Sequence, residues 1–133
     1  MGNKILIVED EYYTIEKLGE LLKKDYEVNI AKTDSEALEY IKNNKYAVVL
    51  LDIMLPTGEG IKCPEEQVGV EVLKMLRETS PQTKVIVLTA VISRTLNEIK
   101  KYHPDELFFK PTDPKEIYNS IKKFAGGEGN NGD

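Results

Sequence analysis

Short unbroken apolar runs alternate along this chain with stretches whose apolar residues recur every three or four positions. Ile5-Leu6-Ile7-Val8, Ala47-Val48-Val49-Leu50-Leu51 and Val85-Ile86-Val87-Leu88 are runs of the first kind. Rich in Val and Ile, they suit strands buried on both faces of a parallel sheet. Tyr26, Val28 and Ile30 alternate with Glu27 and Asn29. That period of two predicts a strand with one wetter face, at a sheet edge. Leu107-Phe108-Phe109 is a fifth, short candidate strand. Helical spacing fills the intervals: Ile15, Leu18 and Leu22; Ala37, Leu38 and Ile41; Val72, Leu73 and Leu76; Leu96 and Ile99; Ile117, Ile121 and Phe124. Thr33-Asp34-Ser35-Glu36 has capping-box spacing, and Asp113-Pro114-Lys115-Glu116 offers an Asp cap followed by Pro at the first helical position.

Five strand–helix repeats predict an α/β fold, one parallel sheet with helices on both faces. A chain of 133 residues, 41% apolar and 31% charged, makes one globular domain. The domain is expected over residues 1–125. The Gly- and Asn-rich end, 126–133, reads as a flexible tail or the start of a cut linker. A net charge of −5 disfavours direct nucleic-acid binding. A single cysteine, Cys63, excludes an internal disulfide, and a single histidine, His103, excludes His-rich metal sites. The longest aliphatic run near the start is too short for a signal peptide or a membrane span, so the expected location is cytoplasmic.

The residues that end the strands carry the chemistry. Glu9-Asp10 follows the first strand, Asp52 the third, Thr89 the fourth and Lys110-Pro111 the fifth. In open α/β sheets ligands bind beyond the carboxyl ends of the strands. Taken singly, each residue has an ordinary explanation as a helix-entry acid, a turn residue or a surface cation. Together they bring three carboxylates, a hydroxyl and an ammonium to one edge. Clustered carboxylates call for a cation, and an oxygen-only donor set suits a hard ion such as Mg²⁺. A carboxylate can also attack phosphorus to form an acyl phosphate, whose oxygens then need positive charge.

With these residues in this order, the sequence resembles the receiver domain of bacterial two-component response regulators, from about Lys4 to Phe124. The resemblance rests on Glu9-Asp10, on Asp52 within Leu51-Asp52-Ile53-Met54-Leu55-Pro56, on Leu88-Thr89-Ala90 and on Lys110-Pro111. It implies a flavodoxin-like (βα)5 sheet of strand order 2-1-3-4-5. It implies Asp52 as phosphoacceptor from a sensor histidine kinase or phosphotransfer protein, in a signalling protein rather than an enzyme. Mg²⁺ ligands would be Glu9, Asp10, Asp52 and the backbone carbonyl of Met54. Lys110 and Thr89 would contact the phosphoryl oxygens, and the bond before Pro111 would be cis. An output domain or protein would read the face formed by helix 4, strand 5 and helix 5. A homodimer is left open.

Several features depart from that pattern. Twelve residues separate Pro56 from Gly69, where the family has about three, so 57–67 reads as an insertion. Its reading as a tolerated surface loop stands beside one in which it overhangs the site. Leu107 stands where an aromatic is usual three residues before the lysine. Met54 and Val91 flank the expected path of a hydrolytic water and predict slow self-dephosphorylation. Tyr12 and Tyr13 are expected half-buried at a helix start, His103 on a surface loop, and Cys63 as an incidental exposed thiol. The alternative function is a phosphorylation-independent binding module of the same fold. An FMN carrier lacks its phosphate loop here, and a phosphohydrolase with an Asp nucleophile on the first strand does not fit Asp52.

Overall fold

The computed structural model describes residues 4–54, 65–90 and 94–130. Five strands and five helices alternate: β1 (Lys4–Val8), α1 (Tyr12–Leu22), β2 (Glu27–Ala31), α2 (Asp34–Asn43), β3 (Val48–Asp52), α3 (Glu65–Thr79), β4 (Lys84–Thr89), α4 (Arg94–Lys101), β5 (Glu106–Phe109) and α5 (Pro114–Asn130). The strands form one sheet in the order β2-β1-β3-β4-β5, every pair parallel. This is the flavodoxin-like receiver fold that the resemblance implies.

Alternation along each strand sorts the core into two layers. Leu6, Val8, Val49, Leu51, Val85 and Val87 face α2, α3 and α4, where Ala37, Ile41, Leu73, Leu76 and Ile99 meet them. Ile5, Ile7, Val48, Leu50, Ile86 and Leu88 face α1 and α5, against Leu18, Leu22, Ile117 and Ile121. The central strands therefore have no wet face, which is why β1, β3 and β4 read as unbroken apolar runs. Edge strand β2 is only partly buried, as its alternation predicts.

Both caps form. Thr33 Oγ1 accepts from Glu36 N–H at 3.2 Å, while Glu36 reaches back to Lys32 N–H at 2.7 Å. Asp113 Oδ1 accepts from Lys115 N–H at 2.9 Å, with Pro114 opening α5. Helix α5 runs to Asn130, into the stretch that composition marks as tail. Tyr12 and Tyr13 depart from expectation: they are 70% and 56% exposed, because the inward stripe of α1 begins only at Thr14 and Ile15. His103 is exposed, with φ 51°, and ends α4 in the left-handed region. Of the expected insertion, residues 57–64 lie outside the described residues, as do Cys63 and Val91; Glu65 already belongs to α3.

Candidate functional site

Ladder hydrogen bonds that overrun the strands pin the backbone of the polar residues at the carboxyl edge. Glu9 N–H donates to Ala31 O at 2.9 Å, Ile53 N–H to Leu88 O at 3.0 Å, and Lys110 N–H to Thr89 O at 2.8 Å. The register sets Asp52 beside Leu88 and Thr89 beside Phe109. Glu9, Asp52, Thr89 and Lys110 thus sit on backbone fixed by the sheet's hydrogen bonds.

Lys110 Nζ lies 3.1 Å from Asp52 Oδ2 and 3.3 Å from Glu9 Oε1. The lysine reaches in half-buried, while Asp52 is 2% exposed and Glu9 1%. Asp52 Oδ1 accepts from Met54 N–H at 3.1 Å. Glu9 Oε2 accepts from Asp10 N–H at 3.1 Å and from Glu11 N–H at 3.0 Å. Glu9 Oε1 makes no hydrogen bond and has only its ion-pair contact with Lys110. Asp10 is exposed at the mouth, and Thr89 is fully buried. The Lys110–Pro111 peptide is cis, as the resemblance implies.

Burial pushes the Glu9 carboxyl up to about 7, and the charge of Asp52 adds to the rise. Burial also raises Asp52, against the pull of Lys110 and the Met54 amide. Burial works to lower Lys110, but Asp52 and Glu9 outweigh it and its value rises. One ammonium faces two buried carboxylates, so the site is short of positive charge. Glu9, Asp10 and Asp52 each offer an oxygen, all within 4.8 Å of one another. A cluster of hard oxygen donors sharing a single ammonium fits a metal ion.

The sequence located Glu9, Asp10, Asp52, Thr89 and Lys110 at this edge, and the structure brings them together. Three residues near the site escaped it. Gly69, whose N–H donates to Ile53 O at 3.0 Å, holds the Ile53–Met54 peptide, one residue past Asp52. An isolated glycine inside the apolar stripe of α3 was the available signal. The exposed Tyr12 and Tyr13 beside the acidic mouth had no sequence signal, since aromatics at a helix start are as often buried.

The response regulator receiver domain family matches residues 5–122, and the chain belongs to it. The transcriptional regulatory protein SrrA of Staphylococcus aureus is 35% identical over 129 residues. That match covers 92% of this chain and 47% of SrrA, so the chain spans about half the length of the curated relatives it matches. Among solved structures, a CheY-like receiver domain protein from Methanospirillum hungatei superposes with a TM-score of 0.79 at 27% identity, covering 97% of this chain and 98% of that one. Response regulator DrrB of Thermotoga maritima, an OmpR/PhoB homologue, gives 0.77 at 28%, covering 96% and 54%. Among the described residues, no helix is long and apolar enough to cross a membrane.

Proposed function

We propose that this receiver domain takes a phosphoryl group onto Asp52 from a phosphohistidine of a sensor kinase or phosphotransfer protein and signals the change to a partner. The observation that carries this reading is the setting of Asp52. Its carboxylate is buried at the sheet edge, one oxygen held by Met54 N–H and the other by Lys110, beside two further carboxylates. The BeF3-activated receiver domain of DrrB, 28% identical over 93% of this chain with a TM-score of 0.74, adds support.

In the transfer, an Asp52 oxygen bonds to phosphorus as the P–N bond breaks, and the imidazole leaves with the electron pair and takes up a proton. Glu9, Asp10, Asp52 and the Met54 carbonyl would hold Mg²⁺, which when bound offsets the negative charge of the carboxylates and phosphoryl oxygens. Lys110 exchanges its contact with Asp52 for one with a phosphoryl oxygen. Thr89 donates its hydroxyl to another, and the exchange biases the α4–β5–α5 face. Four of the five exposed large apolar side chains among the described residues, Tyr12, Tyr13, Met54 and Phe109, leave the same edge of the sheet. An acidic pit rimmed by such side chains favours a protein donor over a small substrate for turnover. The apolar Met54 side chain neither orients nor activates water, so the acyl phosphate decays slowly.

Intact mass after incubation with acetyl phosphate and Mg²⁺ tests the reading. A single phosphate-sized gain is expected, absent from Asp52→Ala and absent without Mg²⁺. No gain from acetyl phosphate and none from a phosphorylated kinase domain would sink it in favour of a phosphorylation-independent binding module.

A further inference from the structure

Glycine weakens a helix interior, yet Gly69 sits inside α3 between the buried Val68 and Val70. A Cβ built there would lie 2.3 Å from Ile53 Cα, 2.4 Å from Ile53 O and 2.7 Å from Ile53 C. All three are backbone atoms, so no side-chain rotation relieves the overlap. Gly19, in α1, differs: a Cβ there would meet nothing within 4 Å.

The residue that Gly69 presses against is Ile53, immediately after Asp52. It is gripped on one side by β4, through Ile53 N–H to Leu88 O at 3.0 Å, and on the other by α3, through Gly69 N–H to Ile53 O at 3.0 Å. Ile53 is fully buried, so it cannot yield inward. The next amide along, Met54 N–H, holds Asp52 Oδ1, which leaves Oδ2 to Lys110.

We infer that Gly69 is a positioning residue for Asp52: by lacking a side chain it lets α3 close on the Ile53 backbone, and that contact sets the Met54 amide and so the aim of the Asp52 carboxylate. Adding one methyl moves the loop after Asp52 and takes Met54 N–H away from Oδ1. A carboxylate oxygen freed in this way swings toward Lys110, and the oxygens of Glu9, Asp10 and Asp52 no longer converge. The inference rests on the reading of Asp52 as phosphoacceptor, but its effect on metal affinity does not require phosphoryl transfer.

The test compares wild type, Gly69→Ala and Gly19→Ala well below their melting temperatures, with the folded fraction of each measured. Two quantities are read per folded molecule: the dissociation constant for Mg²⁺ alone by calorimetry, and the rate of phosphate gain from acetyl phosphate at saturating Mg²⁺. Gly69→Ala is expected to weaken Mg²⁺ binding and slow phosphate gain by at least about tenfold each, since misplacing a reacting group by an ångström can cost more than that. Gly19→Ala should leave both within about twofold. A folded Gly69→Ala with the wild-type dissociation constant and rate would overturn the inference, leaving the glycine a packing residue only. If Gly69→Ala does not fold, Val68→Ala and Val72→Ala replace it. Both trim a buried valine of α3, but only Val68 adjoins the glycine. A larger loss of Mg²⁺ affinity in Val68→Ala supports the inference, and equal losses overturn it. Wild type that binds Mg²⁺ but gains no phosphate from acetyl phosphate or from a phosphorylated kinase domain would refute the phosphoacceptor reading, and the Mg²⁺ comparison would still decide the role of Gly69.

Discussion

Glu9 holds its proton more tightly in the fold than in the unfolded chain, because burial and Asp52 raise its carboxyl from 4.5 to about 7. Its contribution to stability is therefore complete below about pH 4.5 and is lost as the pH rises through about 7. Asp52 is raised too, so it acts in the same direction. Metal-free protein should lose up to about 3 kcal/mol from Glu9 across that window, at 1.36 kcal/mol per pH unit. Urea unfolding in EDTA at about pH 5 and about pH 8 measures the slope, and Glu9→Gln should flatten it. Metal binding runs the other way. The proposed Mg²⁺ site uses the Glu9 carboxylate, so the apparent Mg²⁺ affinity should climb with pH and level off above about 7. This residue was legible in the sequence by its place after β1. Its protonation was not, because burial depends on what the other four strands bring around it.

Among the elements, α3 does more than cover the sheet. Near its carboxyl end Arg77 donates to Tyr102 O at 3.0 Å, Thr83 O at 3.2 Å, His103 O at 2.6 Å and Asp105 Oδ2 at 3.0 Å. Asp105 Oδ2 also accepts from Val85 N–H at 2.8 Å. One guanidinium thus ties α3 to the start of β4, the end of α4 and the start of β5. Arg77→Ala leaves three carbonyls and a carboxylate short of a donor and should cost about 2–4 kcal/mol. Arg77→Lys should recover only part of that, because an ammonium cannot span the fork of contacts. Urea midpoints at unchanged m-value report both. Thr33→Ala removes the cap of α2 and should cost about 1 kcal/mol by the same measurement. The cap was legible, since its residues are adjacent in sequence. The Arg77 clamp was not, since its partners lie on three other segments.

For the molecule as a whole, the site is held at the expense of stability. Two carboxylates are buried with one lysine at the edge of two largely apolar layers. Asp52→Asn removes a buried charge that repels Glu9. It should raise metal-free stability by about 1–2 kcal/mol, the size of gain common where a functional site is neutralised. Under the proposed Mg²⁺ binding, wild type should rise in melting temperature with the ion, and the same change should abolish that rise. Scanning calorimetry with and without Mg²⁺ checks both effects. A variant less stable without metal than the wild type would show that Lys110 compensates the pair fully.

Periodicity in the sequence was enough to determine that five strands alternate with five helices, that β1, β3 and β4 lie inside, and that β2 lies at an edge. Period and run length are local properties, and they record how many faces of each element are buried. The same reading placed Glu9, Asp10, Asp52, Thr89 and Lys110 at one edge, because every strand of a parallel sheet ends on the same side. Tertiary structure alone decided which of these groups touch. Lys110 meets Asp52 and Glu9 across 58 and 101 positions. It also decided that Tyr12 and Tyr13 face outward, and that α5 reaches Asn130. The contact of Gly69 with Ile53 could not be read from either segment by itself. A missing Cβ becomes a requirement only when two backbones approach within van der Waals distance, and that approach is set by the packing of α3 on the sheet.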